Sequence, residues 1–191
     1  IAIIDYGMGN LRSVEKAFEF LGYPAKIVDS WENIAKASHI VLPGDAAFGD
    51  AMGNLHRDGW VEAIYRSIEV GKPFLGICVG LQVMFSESEE MGLHQGLELL
   101  PGRCVRFPAT ERVPQIGWNE VEFEKPECPI LKGIESGSHF YFVHSYFPKP
   151  KDQSIVATRT TYGESFASAV WRDNVFATQF HPEKSQKAGL K

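Results

Sequence analysis

Short apolar runs rich in β-branched residues alternate with helically periodic stretches through the first half of this chain. "IAIID" (1–5) reads as a strand and "LRSVEKAFEFLG" (11–22) as an amphipathic helix. In that helix Leu11, Val14, Ala17, Phe18 and Leu21 share one face, and Gly22 supplies the stop. "AKIVD" (25–29) and "HIVLPG" (39–44) are the next strands, with a short helix at "SWENIAKA" between them. A helix around 60–70, the strand "PFLGI" (73–77) and a helix starting at or just after Cys78 follow. Strands joined through helices in this way run parallel, with right-handed crossovers and helices on both faces of the sheet. The second half is different: "VEFE", "HFYFVHSYF", "SIVATRTT", "SFASAVWRD" and "VFATQF" are strands in quick succession, with a turn at "RDN". The expected fold is α/β, an open, largely parallel, doubly wound (flavodoxin-like) sheet with an antiparallel extension, in one domain over 1–191.

Composition narrows the partners. The net charge of −5 offers no clustered basic surface for nucleic acid or an anionic membrane, and no apolar stretch reaches transmembrane length. Cys78, Cys104 and Cys128 are odd in number and widely spaced, which favours a reducing compartment, expected to be the cytoplasm, over a disulfide framework. None sits at zinc-ligand spacing, so no metal is expected. Both ends read as trimmed, since Ile1 already lies in a strand-like run and "EKSQKAGLK" stops where a helix begins.

Two glycine-rich loops invite a functional reading. "DYGMGNLR" follows the first strand, but a dinucleotide fingerprint needs glycine where Arg12 stands, and no P-loop pattern occurs, so no cofactor is expected. "GICVG" (76–80) has the strand–turn–helix setting of a nucleophile elbow with cysteine in the serine position. Glycines at 76 and 80 allow segments to approach where a Cβ would clash. The turn places the sulfur at a helix N-terminus, which favours a thiolate, with the N–H of Val79 available to an oxyanion. Among the six histidines, His181 stands out in "ATQFHPEKS": it ends a strand, and Glu183 two residues on shares its face in an extended segment.

With these motifs in hand, the chain resembles the class I (triad) glutamine amidotransferases, carried by "PFLGICVGLQVMFSESEE" and "FATQFHPEKS". "DYGMGNLRSV", "VPQIGWNEV" (113–121) and "FYFVHSYF" (140–147) narrow the resemblance to the branch that supplies ammonia to a (β/α)8-barrel cyclase subunit in histidine biosynthesis. The resemblance implies Cys78 as nucleophile, His181 as base and then acid, and Glu183 as its orienting partner, acting on L-glutamine through a γ-glutamyl thioester. It implies substrate-holding roles for Gln82, Glu90, Ser145 and Tyr146. The oxyanion site would combine Val79 with the loop "LPGDAAF" (42–48), through Gly44, Asp45 and Ala46. Family members often carry glycine where Ala46 stands, and a side chain there disfavours positive φ.

Asn10, Trp118, Asn119 and Lys184 match positions at the interface of a heterodimer with the cyclase. Each has a plain structural alternative: Asn10 a helix cap, Trp118 a core residue, Lys184 a solvated charge, and Glu90 the solvated end of a helix through "SESEE". A rival branch, the glutaminase of pyridoxal phosphate synthesis, shares the cysteine and His-x-Glu but not the combination of "GMGN", "IGWN" and "FYFVHSY". Flavodoxin-like cysteine hydrolases of the intracellular-protease kind place histidine close after the cysteine, where this chain has Val79. A catalytically silent binding subunit would have no need of all three triad residue types.

Overall fold

The computed structural model describes Ile1–Lys191. The first half contains β1 (Ala2–Ile4), α1 (Leu11–Phe20), β2 (Lys26–Val28), α2 (Trp31–Ile34), β3 (Ile40–Leu42), α3 (Phe48–Arg57), α4 (Trp60–Glu69), β4 (Phe74–Ile77) and the single turn α5 (Val79–Gln82). The second half contains β5 (Phe85–Ser88), β6 (His94–Gln95), β7 (Leu100–Arg106), β8 (Gln115–Phe123), β9 (Ser138–His144), β10 (Tyr146–Pro150), β11 (Val156–Tyr162), β12 (Glu164–Arg172), β13 (Val175–Thr178) and the short α6 (Gln186–Gly189). No helix is long and apolar enough to cross a membrane.

Nine strands form one sheet in the order β2-β1-β3-β4-β13-β12-β11-β8-β9. The run from β2 to β13 is parallel, and every pairing from β13 to β9 is antiparallel, as the two halves of the sequence predict. The parallel strands β1 and β3 are buried along their whole length, and each reads as a continuous apolar run. β10, β7, β5 and β6 form a second, four-stranded sheet.

Three local readings change. "HFYFVHSYF" is two strands, because the chain leaves the large sheet at Ser145 and continues as β10 of the small one. The helix after Cys78 lasts one turn, and "FSES" is a strand, so Glu90 follows a strand rather than ending a helix. "FGDAMGNLHR" is a helix that its two glycines conceal. Burial of Phe48, Ala51, Met52 and Leu55 holds it, and the Glu90 carboxylate accepts a hydrogen bond from the Phe48 N–H at 2.7 Å at its start.

The parallel order decides where function sits. β1, β3, β4 and β13 are consecutive neighbours, so the segments leaving their carboxyl ends meet at one edge. Those segments are "DYGMGN", "PGDAA", Cys78 and "QFHPE". The antiparallel half curls until β9 lies over this edge, where the His181 N–H donates to the Tyr141 carbonyl at 3.0 Å.

Candidate active site

The elbow is built as its glycines require. Cys78 adopts φ 55° and ψ −109°, a conformation that costs a side-chain-bearing residue about 1–3 kcal/mol and is found at sites where surrounding packing enforces it. Its N–H donates to the Thr178 carbonyl at 2.7 Å, tying Cys78 to the neighbouring strand. A Cβ on Gly76 would come within 2.6 Å of the Gly80 carbonyl oxygen, and one on Gly80 would overlap the Leu42 carbonyl. Gly44 is pressed against the same turn, where a Cβ would stand 2.9 Å from that of Val79. Gly80→Ala is therefore expected to lower unfolding stability by about 3 kcal/mol, the upper range for an overpacked core, in a chemical denaturation curve. An unchanged midpoint would show that the elbow does not depend on this close approach.

His181 and Glu183 meet as expected, by a different route. The segment between them is a one-turn 3-10 helix, Pro182–Lys184, rather than extended chain. Nδ1 of His181 and Oε1 of Glu183 are 2.8 Å apart, and both side chains are almost fully buried, at 4% and 3% exposure. Burial by itself opposes the charged imidazole. Hydrogen bonding and charge from Cys78 and from Glu183 outweigh it and raise His181 to about 9. Nε2 of His181 closes no hydrogen bond of formal geometry, so its interaction with the sulfur is loose, as is common before substrate tightens a site.

Cys78, His181, Val79, Asp45, Ala46, Gln82, Glu90, Ser145, Tyr146 and Lys184 all line one cleft of about 500 Å³. That size is ample for an amino-acid substrate. Val79 opens α5, where its N–H has no intrahelical acceptor. The loop after β3 is pinned from beneath: the buried Tyr6 hydroxyl donates to the Pro43 carbonyl, and the Gly9 N–H donates to Asp45 Oδ1, each at 2.9 Å. Burial, then the charges of Asp45 and Cys78, raise the Tyr6 phenol above its usual range, keeping it a donor. Ala46 is not among the positive-φ residues, so its side chain fits this loop conformation without strain.

The interface candidates lie outside the triad. Asn10 caps α1, its side chain accepting from the Ser13 N–H at 3.4 Å. Trp118 is not core: it is 43% exposed on β8, edge-on to Tyr141, beside the exposed Ile116. Asn119 accepts from Gln115 Nε2 at 2.7 Å. Lys184 faces the cleft.

Two site residues escaped the sequence reading. Gln179 is fully buried, with Nε2 3.7 Å from the Cys78 sulfur. His144 lies under the cleft, its Nδ1 donating to the Tyr146 carbonyl at 2.8 Å. Burial lowers His144 to about 4 despite that bond, so it is neutral near pH 7. For Gln179 the one available signal was a glutamine between the strand and the apolar Phe180 in "VFATQF".

The chain matches the family Glutamine amidotransferase class-I over residues 2–190. It is 54% identical to the imidazole glycerol phosphate synthase subunit HisH of Syntrophotalea carbinolica, covering 100% of this chain and 96% of that protein. It is likewise 54% identical to the subunit of that name from Aquifex aeolicus, over 99% of this chain and 91% of the relative. Among solved structures, one titled as a glutamine amidotransferase superposes with TM-score 0.78 at 20% identity, over 100% of this chain and 94% of the other. The structure of PurLQS from Thermotoga maritima superposes at 0.75 with 21% identity, over 95% and 86%. At these identities the two structures speak to the fold alone.

Proposed function

The chain belongs to the class-I glutamine amidotransferases, and from that premise we infer that it is the glutamine-hydrolysing subunit of an imidazole glycerol phosphate synthase, working in histidine biosynthesis. The observation that carries the reading is the buried Cys78–His181–Glu183 constellation at the carboxyl edge, in a chain 54% identical end to end to relatives of that name. The partner is a (β/α)8-barrel cyclase subunit, joined in a heterodimer, which uses the ammonia to make imidazole glycerol phosphate and an aminoimidazole carboxamide ribotide. The place of work is the cytoplasm. Trp118 and Ile116 supply an exposed apolar surface on β8 for the partner, and the resemblance adds Asn10, Asn119 and Lys184 to the interface.

The chemistry follows from the geometry. The Cys78 thiolate attacks the side-chain amide carbon of glutamine, and the carbonyl oxygen takes up negative charge facing the Val79 N–H and the 44–46 loop. His181, protonated near neutral pH, gives its Nε2 proton to the departing nitrogen, so ammonia leaves and a γ-glutamyl thioester forms. Water then attacks the thioester, the proton it loses goes to His181, and the C–S bond breaks to release glutamate. Glu183 holds the imidazole in register through both steps. Gln82, Glu90, Ser145 and Tyr146 hold the substrate. Ammonia must reach the partner without protonation, since ammonium has no lone pair for attack, and a closed interface meets that need.

The test is glutamine-dependent formation of imidazole glycerol phosphate on mixing with a purified barrel cyclase and its nucleotide substrate. Glutamate release should be slow alone and rise with the cyclase present. No stimulation by that cyclase, with stimulation by a pyridoxal phosphate synthase instead, would move the chain to another branch. Ala46→Gly is expected to raise hydrolysis by the isolated chain severalfold by freeing the oxyanion loop. Equal rates with and without the substitution, alone and in complex, would mean that Ala46 does not restrain it.

A further inference from the structure

Behind the nucleophile runs a buried chain of amides. Gln179 Nε2 donates to the Cys78 sulfur at 3.7 Å. Gln82 Nε2 donates to Gln179 Oε1 at 3.1 Å and to the Tyr146 carbonyl at 2.8 Å. The same carbonyl accepts from His144 Nδ1 at 2.8 Å. Its two lone pairs are thereby filled, and a carbonyl can only accept, which fixes the nitrogen of Gln82 on that side. The atom of Gln179 that meets this nitrogen must then be its oxygen, so its own N–H has to face the sulfur. Both hydrogens of Gln82 Nε2 are committed, leaving Oε1 as the atom that Gln82 offers to the cleft, where it can accept from an N–H of the substrate.

Resting on the glutaminase reading above, we propose that Gln179 is a positioning residue that donates a hydrogen bond to the Cys78 sulfur and locks the Gln82 amide with its oxygen toward the substrate. A donor at this position stabilises the thiolate more than the thiol, because a hydrogen bond to a charged acceptor is the stronger one. Among the other groups facing the sulfur only His181, once protonated, also favours the thiolate, and Gln179 is the neutral side-chain donor beside it. The Val143 carbonyl, 3.8 Å away, can only accept from a thiol. His181 approaches from the segment after β13, and the Tyr6 hydroxyl is occupied by Pro43. His144 is neutral, and Asp45, Glu90 and Lys184 line the opening of the cleft.

Two substitutions separate the halves of the proposal, read by iodoacetamide alkylation of Cys78 across pH and by glutamine kinetics in complex with the cyclase. Gln179→Met keeps the volume and removes both bonds. It should slow alkylation at pH 7 about tenfold, shift the alkylation profile to higher pH and raise KM severalfold, as loss of a hydrogen bond to a charged group predicts. Gln179→Glu keeps an oxygen for Gln82 but turns a second oxygen on the sulfur. KM should stay within about twofold, while kcat and alkylation fall at least tenfold. Co-elution with the cyclase reports folding for both. A purely structural role would change thermal stability and leave both alkylation profiles superimposable on the wild type, which overturns the proposal, as do wild-type kinetics in a folded Met variant. Wild-type protein unable to release glutamate with the cyclase present would instead overturn the glutaminase reading, with the alkylation arm still deciding the role of Gln179.

Discussion

Cys78→Ala is expected to abolish glutamate release, a loss of roughly 10⁴-fold or more, since no second nucleophile reaches the amide carbon. The other two cysteines cannot substitute: Cys104 and Cys128 are both buried outside the cleft. Burial raises the Cys104 thiol well above its usual range, and the nearby Glu90 charge adds to this, so it stays a thiol, which donates to the Gln82 carbonyl at 3.6 Å. Alanine leaves the elbow otherwise intact and removes a group with no structural partner stronger than long sulfur contacts. The complex of this variant with the cyclase should therefore still consume added ammonium salts at the wild-type rate. Glutamate release by the alanine variant at the wild-type rate would end the thioester mechanism. Loss of the ammonium-driven reaction as well would show that Cys78 matters for docking.

The second large effect is expected from Glu183→Gln, which keeps the shape and removes the charge. Catalysis should fall by about 10²–10⁴-fold, the scale seen when a triad carboxylate becomes an amide. The same substitution should alter how stability depends on pH. His181 in the folded chain titrates near 9, above its unfolded value of 6.5. A group raised in this way contributes stability that is complete below 6.5 and disappears as pH climbs through 9. Without the Glu183 carboxylate, its hydrogen bond and its charge no longer oppose desolvation, so the folded value drops and the fall in stability between pH 6.5 and 9 becomes shallower. Paired denaturation curves at pH 6 and 9.5 measure this directly. An identical pH dependence in the two proteins would mean that Glu183 does not sustain the imidazolium. One oxygen of Glu183 is buried without a partner, so the pair depends on its single short bond.

The parallel half of the fold was legible because the physical signals were local. β1, β3 and β4 are apolar runs of strand length, and α1 presents a clean apolar stripe ended by Gly22. Elements whose cause is distant were not. α3 carries glycine at 49 and 53, and its start is satisfied by Glu90, forty-two residues on. "FSES" became β5 because β7 and β6 flank it, a pairing that no local pattern announces. Cys78, His181 and Glu183 stood out because their spacing and flanking residues suggest the chemistry, and the fold brings Cys78 and His181 to one cleft with Glu183 on the imidazole. Gln179 was not, since a buried glutamine gains meaning only when Cys78 and Gln82 are folded around it. Trp118 illustrates the opposite case: the resemblance put it at an interface with core as the plain alternative, and the sheet leaves it exposed.

The position of β13 bears on how the protein is made. It follows every other strand in sequence yet lies in the interior of the sheet, between β4 and β12. On a ribosome, Cys78 emerges long before His181, and the gap beside β4 cannot be filled until residues 175–178 arrive. Until then β4 and β12 each present an unpaired edge, open to wrong partners. Closing that gap joins contacts about a hundred positions apart, which makes a slow, late step of assembly. Because the same step brings in Gln179, His181 and Glu183, the sheet and the proposed catalytic site are completed together.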